Sequence, residues 1–481
     1  MTSLKKEITS GVFYIAISRY SGIILNIFIS AILARLVPPS DFGLIAIVNV
    51  VMTFFYILSD IGLSPAIVQK KELTKYDLDH IFSFTFYMGL VLTIVFFICA
   101  WPLAYLYNEP QVVSVAQLMS IVLLFNCIKI VPNALLTKAK RFKFQSFTGL
   151  SVGFFTSIIS VSAAYMGFGV YALILSGIIS NLLILIIFYF QNPLHLYLRI
   201  DLTPFKKIFS YSAFVFLFNS INYFSRNLDK LLVGKYLNLT SLAYYEKSYN
   251  LMMMPLQNIT FVITPVLHPI FSEFQNDLKF VADKYLKLLV ILAYISFPLS
   301  AYIYFVAPEL IQIIYGPKWL PAITPFKILA LTLGQQILIS TTGSIFQAVN
   351  STKLFFIGGC ICAFLMITSF FISLSIWGTI TALAWGFLIA QTLNSFQTYY
   401  LVFKILLHSS IKKMIIDLSK PLLSGIILFI ILFLFSKNVT IGNLFASLII
   451  KSLISILVWT ICMQFISEYG VRGFFQNFKM K

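Results

Sequence analysis

The chain has 481 residues, of which 59% are hydrophobic and 10% charged, with 34 Lys+Arg against 16 Asp+Glu, giving a formal charge of +18. A soluble domain carries about 25% charged and about 45–50% apolar residues, so this composition, with its 49 Phe, excludes a soluble protein. At about 20 apolar residues per membrane-spanning helix and about 10 per connection, the length holds roughly 14 spans and leaves little for a soluble catalytic domain.

The N-terminal MTSLKKEITS leads into an apolar run from Gly11 to Leu36. That run is too long for the apolar region of a signal peptide, carries Arg19 and Asn26, and has no small-residue cleavage site before Pro38-Pro39-Ser40-Asp41. It is expected to remain as the first helix. Apolar runs against polar breaks then predict spans near 11–36, 42–67, 80–101, 113–136, 147–166, 169–190, 209–233, 243–269, 286–307, 322–346, 354–375, 379–402, 421–436 and 444–466.

With a cytoplasmic N-terminus, the even-numbered gaps and both termini face the cytoplasm. Those segments hold most of the basic residues, among them Lys70, Lys71, Lys138, Lys140, Arg141, Arg199, Lys412 and Lys413. The opposite loops hold little more than Lys235, Lys318 and Lys437, with Arg35 at a helix end. This is the asymmetry of the positive-inside rule, and it argues against nucleic acid as the partner of the basic charge. The longest connectors, near 191–208 and 403–420, are basic; they suit a surface facing anionic lipid, or simply set topology. Cys99, Cys127, Cys360, Cys362 and Cys462 all fall inside apolar stretches and read as small buried residues rather than disulfides or metal ligands.

Sliding the sequence by 200 residues places Leu33-Ala34-Arg35-Leu36-Val37 on Val233-Gly234-Lys235-Tyr236-Leu237, and Ser64-Pro65-Ala66 on Thr264-Pro265-Val266. The offset covers six helices, so the two copies share orientation. The expected fold is an all-α integral membrane protein of about 14 transmembrane helices: a six-helix lobe over 1–200, a second over 201–405, and an extra two-helix segment with a basic cytoplasmic tail over 406–481. Parallel lobes of this kind commonly enclose an alternately accessible cavity with binding near the midplane.

Charge inside the membrane is the sharpest functional signal, because each Arg, Lys or Asp at a helix centre costs about 2.5–3.5 kcal/mol on insertion scales. Arg19 stands about 8 residues into the first span, roughly 12 Å deep at 1.5 Å per residue. Arg226, Asp229 and Lys230 share one face of helix 7 by their spacing of three and four. They either line a cavity or include a structural ion pair between Arg226 and Asp229. Lys129, beside Pro132 in helix 4, lines the inner half of such a cavity or snorkels to the nearby surface. Glu246, Lys247 and Lys327 read as interfacial. Buried cations with few anions favour an anionic group, most economically a phosphate or diphosphate, which Arg meets with paired hydrogen bonds and Lys with a point charge.

Several chemistries are missing. His80, His195, His268 and His408 are scattered and form no HExxH or paired metal ligands, and no GxxxxGK[ST] loop is present. No catalytic residue, metal or cofactor is therefore expected, and no ATP bound to this chain.

Ser18-Arg19-Tyr20-Ser21-Gly22, the turn Ala34-Arg35-Leu36-Val37-Pro38-Pro39-Ser40-Asp41-Phe42-Gly43-Leu44, and Asp60-Ile61-Gly62-Leu63 resemble the opening helices of Wzx-type oligosaccharide flippases. Arg226-Asn227-Leu228-Asp229-Lys230-Leu231-Leu232-Val233-Gly234-Lys235 resembles the helix-7 motif of the colanic-acid-exporter branch of the polysaccharide transport family. The resemblance implies the multidrug/oligosaccharidyl-lipid/polysaccharide exporter superfamily, and transport rather than catalysis. By position in these motifs, Arg19, Arg226, Asp229 and Lys230 carry over as cavity residues; Lys129, Glu246, Lys247 and Lys327 match no motif. The denser arginines of the lipid II flippases in the same superfamily are absent.

The expected partners are a polyprenyl-diphosphate-linked oligosaccharide, the lipid bilayer, other polysaccharide assembly proteins and a coupling ion, proton or sodium. The expected location is the bacterial inner membrane, with both termini cytoplasmic. A cation-coupled drug exporter of the same superfamily is one alternative, and would carry buried acid in excess of base. A membrane-integral polysaccharide polymerase or ligase is another, and would carry a large periplasmic loop, whereas the longest outward gap is near 308–321. A glycosyltransferase scaffold is the third.

Overall fold

Hydrocarbon offers no partner for backbone N–H and C=O groups, so a chain this apolar must satisfy them within helices. The computed structural model describes residues 2–199 save 61 and 71, then 201, 203, 223, 227–467 and 470, with side chains from residue 17 onward except those of 262 and 265. Among the described residues all regular structure is helical. Arg226, most of the span expected at 209–233 and nearly all of the tail beyond 467 lie outside the described residues.

The chain divides into two compact units, Met1–Ala243 and Tyr244–Lys481. The first holds α1 (Thr2–Leu36), α2 (Pro39–Asp60), α3 (Leu63–Gln69), α4 (Lys75–Tyr107), α5 (Gln111–Lys138), α6 (Phe142–Tyr165), α7 (Val170–Gln191) and helical residues 227–236, here α8. α4 starts at a capping box: Thr74 Oγ1 accepts the Asp77 N–H, and the Asp77 carboxylate accepts the Thr74 N–H at 3.0 Å. It lies close along α5, where a Cβ on Gly89 would stand 2.7 Å from that of Cys127. Ile81 and Phe82 of α4, Val131 of α5 and Leu63 and Ile67 of α3 form one buried cluster.

Hydrogen bonds gather the loops of this unit into two ends. Lys138 reaches the Lys70 carbonyl at 2.6 Å and Arg141 the Gln191 amide oxygen at 2.8 Å, which joins three of the basic segments at one end. At the other, Ser114 meets Tyr171 at 3.2 Å and Lys235 donates to the Leu106 carbonyl.

The 200-residue offset appears as repeated local structure. Residues 31–40 and 231–240 have the same course: a helix ending at 36 or 236, a two-residue break, and a new helix. Leu33 and Ala34, like Val233 and Gly234, are buried, while Arg35 and Lys235 are exposed. Gly43 opens α2 against the start of α9, where a Cβ would stand 1.9 Å from the Leu239 carbonyl oxygen; only glycine fits that approach. Further along, α2 yields to α3 at Gly62, whose φ of +73° suits glycine. The matching stretch of α9 bends by 41° between Phe261 and Val266. Pro265 has no N–H to return to the carbonyl four residues earlier, which weakens the helix at that point.

The second unit holds the rest of α9 (Leu239–Ser272), α10 (Leu278–Ile314), a 3-10 turn at Pro317–Ala322, α11 (Ile323–Ala330), α12 (Leu333–Ile339), α13 (Thr342–Ala348), α14 (Thr352–Ile376), α15 (Ile380–Tyr399) with a π-helical continuation Tyr400–Leu406, α16 (Ile411–Asn438) and α17 (Leu444–Phe465). α10 is its axis, with Tyr285, Leu289, Ala293, Val306 and Ala307 fully buried. α10 also overturns the outward gap expected at 308–321. It runs on through Pro308 to Ile314, and the next turn starts at Pro317.

The span expected at 322–346 is broken into three short helices, with a 49° bend after Ala330. Hydroxyls take up the carbonyls that the breaks release: Thr332, Ser340, Thr341 and Thr342 each donate to the carbonyl three residues back, at 2.6–2.8 Å. Among the described residues, ten helices are long and apolar enough to cross a membrane, or twelve if each bent pair is one span. α15 falls below that level because Gln391, Thr392, Asn394, Ser395 and Gln397 interrupt it. The protein is therefore an all-α, multi-pass membrane protein, and a count of 14 is compatible with it. Three cysteines depart from expectation: Cys99 and Cys362 are half-buried and Cys360 is exposed, the last because α14 is apolar on every side and hydropathy cannot separate its lipid face from its packed face.

Candidate functional site

α1 carries Arg19 at its middle, 17 residues from each end of Thr2–Leu36, where the side chain is half-buried. The adjacent Ser18 donates to the Ser146 carbonyl of α6 at 3.2 Å, which fixes the rotation of α1 about its axis. The helix begins nine residues earlier than the apolar run suggests, because Lys5, Lys6 and Glu7 continue it.

Asp229 and Lys230 stand on α8, which packs on α2 and α4 of the first unit. A Cβ on Gly234 would lie 3.0 Å from Ile47 and from Tyr107, and Tyr107 donates to the Leu231 carbonyl at 3.4 Å. Asp229 is 1% exposed, its Oδ1 accepting the Lys230 N–H at 2.8 Å, and the Lys230 side chain is half-buried. Their expected companion Arg226 lies outside the described residues.

Lys129 sits nine residues before the end of α5, about 14 Å along the axis, and is half-buried. It does not snorkel. Its Nζ turns sideways to donate to Asn181 Oδ1 on α7 at 2.8 Å, and Asn181 Nδ2 in turn donates to the Gly177 carbonyl at 2.9 Å. The amide is a nearer acceptor than the membrane surface, and being neutral it leaves the ammonium charge uncancelled. Lys129 thus keeps a cation between α5 and α7, while Asp229 and Lys230 stand together on α8.

In the second unit, Lys247 lies 5.3 Å from the Tyr315 ring and 6.0 Å from that of Trp319, and Lys327 lies 5.6 Å from that of Tyr304. Cation–π contact of this kind helps to hold a cation in an apolar setting.

The residues that sequence reasoning missed are Glu309 and Lys451. Glu309 of α10 is 4% and Lys451 of α17 is 7% exposed. Lys451 Nζ meets Glu309 Oε1 at 2.5 Å and the Phe305 carbonyl at 3.0 Å, while the Ser447 hydroxyl donates to the same carboxylate oxygen at 2.5 Å. Glu309 thus joins Asp229, and Asp77 and Asp79 at the start of α4, among the buried acids. Lys451 had left a signal, being the lone charged residue of the apolar run 444–466. Among the described residues no group of three or more His, Cys, Asp or Glu could hold a metal ion.

Comparison with known proteins agrees with this architecture. An uncharacterized membrane protein in the cps region of Klebsiella pneumoniae is 26% identical over 419 residues, 85% of each chain. The lipopolysaccharide biosynthesis protein WzxC of Escherichia coli K12 is 24% identical over 427 residues, covering 87% of this chain and 85% of its own. Among solved structures, the lipid II flippase MurJ in an inward closed conformation superposes with a TM-score of 0.74 at 18% identity, over 94% of this chain and 98% of its own. Residues 32–324 match the polysaccharide biosynthesis protein family. That match takes in most of the chain, the Lys129–Asn181 contact and α8 included, and the chain belongs to the polysaccharide biosynthesis protein family.

Proposed function

We propose that this protein is a flippase that moves polyprenyl-diphosphate-linked oligosaccharide repeat units from the cytoplasmic to the periplasmic leaflet of the bacterial inner membrane, by alternating access, for surface polysaccharide assembly. The observation that carries the reading is the family match over 32–324, which includes Lys129, Arg226, Asp229 and Lys230. WzxC, named for lipopolysaccharide biosynthesis, and MurJ, named as a lipid II flippase, support it from sequence and fold respectively. In the mechanism, positive charge at Arg19, Lys129, Arg226 and Lys230 meets the diphosphate, which Arg engages with paired N–H groups and Lys with a compact charge. The lipid tail stays in the bilayer. Both termini are cytoplasmic in this reading, and the basic end of the first unit faces the cytoplasm.

A cation-coupled drug exporter is the weaker reading. It calls for acid within the spans in excess of base; Glu309 is matched by Lys451, while the buried Asp77 and Asp79 cap and fasten the start of α4.

The test is leaflet-resolved measurement of lipid-linked saccharide in cells with and without this chain. Loss of the chain should leave saccharide on the cytoplasmic leaflet, and Arg226→Ala or Arg19→Ala should reproduce that accumulation. Normal translocation by both variants, correctly folded, would show the cationic mechanism to be wrong. Loss of glycan without accumulation on one leaflet would favour a scaffold.

A further inference from the structure

The connector that follows α7 is not helical, yet it is fastened. Over residues 192–199 the chain has no regular structure, and it leaves the end of a membrane-crossing helix beside the start of α4. Three side chains of the first turns of α4 take its backbone N–H groups. Asp79 Oδ1 accepts from His195 at 3.0 Å, Ser83 Oγ from Tyr197 at 2.9 Å, and His80 Nδ1 from Asp201 at 3.1 Å. All three acceptors are buried. The Tyr189 hydroxyl donates to the Leu194 carbonyl at 3.0 Å, and Leu194 itself is buried in the cluster with Leu63, Ile81 and Val131. The His80 ring stacks on Tyr197 at 4.7 Å and meets Tyr76 at 4.3 Å.

This fastening answers the difficulty that a non-helical backbone meets at a membrane surface, where each unpaired N–H placed in an apolar environment costs several kcal/mol. The outward side chains are those that lipid would receive. Leu198 is 90% exposed and Leu196 46%, continuous with the exposed Phe190 at the end of α7 and Tyr76 at the start of α4. Beside them Arg199 is exposed, and the same end of the unit carries Lys70, Lys138 and Arg141. Apolar side chains next to cations match the boundary between acyl chains and anionic headgroups.

We infer that residues 194–199, with Asp201, form an interfacial strap, its backbone fastened to α4 by Asp79, His80 and Ser83, its Leu196 and Leu198 inserted into the lipid leaflet, and its Arg199 on anionic headgroups. The inference does not depend on what the protein transports.

The test uses the full chain in nanodiscs of phosphatidylethanolamine and phosphatidylglycerol. A nitroxide on Leu198→Cys, with the five native cysteines replaced, should collide more with oxygen than with a water-soluble nickel chelate, and Arg199→Gln should make it shallower there but not in phosphatidylcholine. A label open to the nickel chelate overturns insertion. Equal depth with and without Arg199 in the anionic discs overturns the headgroup contact. Because replacing the buried Cys127 and Cys462 can disturb folding, amide hydrogen exchange is also read on a protein with all its cysteines. The amides of 195 and 197 should be protected, and Asp79→Asn with Ser83→Ala should speed their exchange at least about tenfold, as expected for loss of a charge-assisted bond. Exchange at the rate of an unfastened loop before any substitution overturns the fastening.

Discussion

The two units treat a lysine in the membrane in opposite ways. In the first, Lys129 donates to a neutral amide, Asn181, which brings no counter-charge. In the second, Lys451 meets a carboxylate, Glu309, in a nearly dry setting where a serine hydroxyl and a backbone carbonyl complete the contacts. An amide orients a cation without cancelling it, whereas a carboxylate removes it from the local field. In the proposed mechanism the first arrangement leaves charge available to an anionic cargo. The second joins α17 to α10, and so attaches the C-terminal helix pair to the axis of its unit.

The contrast is most easily broken at the closed pair. Lys451→Met should destabilise the protein by about 3–5 kcal/mol, because it leaves a buried carboxylate without its counter-charge. Adding Glu309→Gln to that variant should recover most of the loss, since replacing both members of a buried pair is far milder than removing one. Thermal unfolding in detergent compares the three proteins, and additive losses would show that the two residues do not act as a pair.

Next in size is a conversion of the open arrangement into the closed one. Asn181→Asp places a carboxylate against Lys129, and should lower translocation about tenfold, or about 1.4 kcal/mol in the barrier, while leaving the folded state intact. Leaflet-resolved saccharide measurement together with the unfolding curve separates the two effects. Unchanged translocation would remove Lys129 from the cationic path. Lys129→Met removes the same charge from the other side, and leaves the Asn181 oxygen without its donor at a cost of about 1–3 kcal/mol. Its translocation should fall with that of Asn181→Asp although its stability falls and that of Asn181→Asp does not.

The smallest effect is expected outside the membrane. The Asp201 carboxyl is held below the usual carboxylate range first by hydrogen bonds from Thr203, whose N–H lies 2.8 Å from Oδ1, with the Tyr76 hydroxyl adding to it. A depressed pKa contributes stability above the unfolded value of about 3.9 and loses it as pH falls through the lower folded value, so nothing should change near neutrality. Thr203→Pro, which removes the N–H, should bring the carboxyl back toward its ordinary titration, as followed by carbon-13 resonances of the side chain. No movement would mean that Thr203 does not hold it.

Much of the architecture was legible because hydropathy reports what a membrane requires. Long helices, basic segments gathered at one end of the first unit, and the repeated turn at 31–40 and 231–240 all follow from runs of apolar residues and the charges that bound them. The short helices α11, α12 and α13 were not legible, because threonine and serine hydroxyls take up released carbonyls and let a helix break without any proline at the break. At the candidate site, the type of residue was legible and its partner was not. Lys129 stood out as a charge in an apolar run, yet the acceptor that turns it aside is 52 residues away on another helix.

The sequence by itself determined that this chain lives in a membrane, that one turn recurs 200 residues on, and that a few charged residues stand inside apolar runs. Tertiary structure decided which of the cations among them meets a counter-charge. Glu309 falls in the gap expected near 308–321, but α10 continues through Pro308 and brings the carboxylate to a lysine 142 residues away. Hydropathy is summed along the chain, whereas neutralisation depends on which side chains meet across helices. Only packing supplies that second fact.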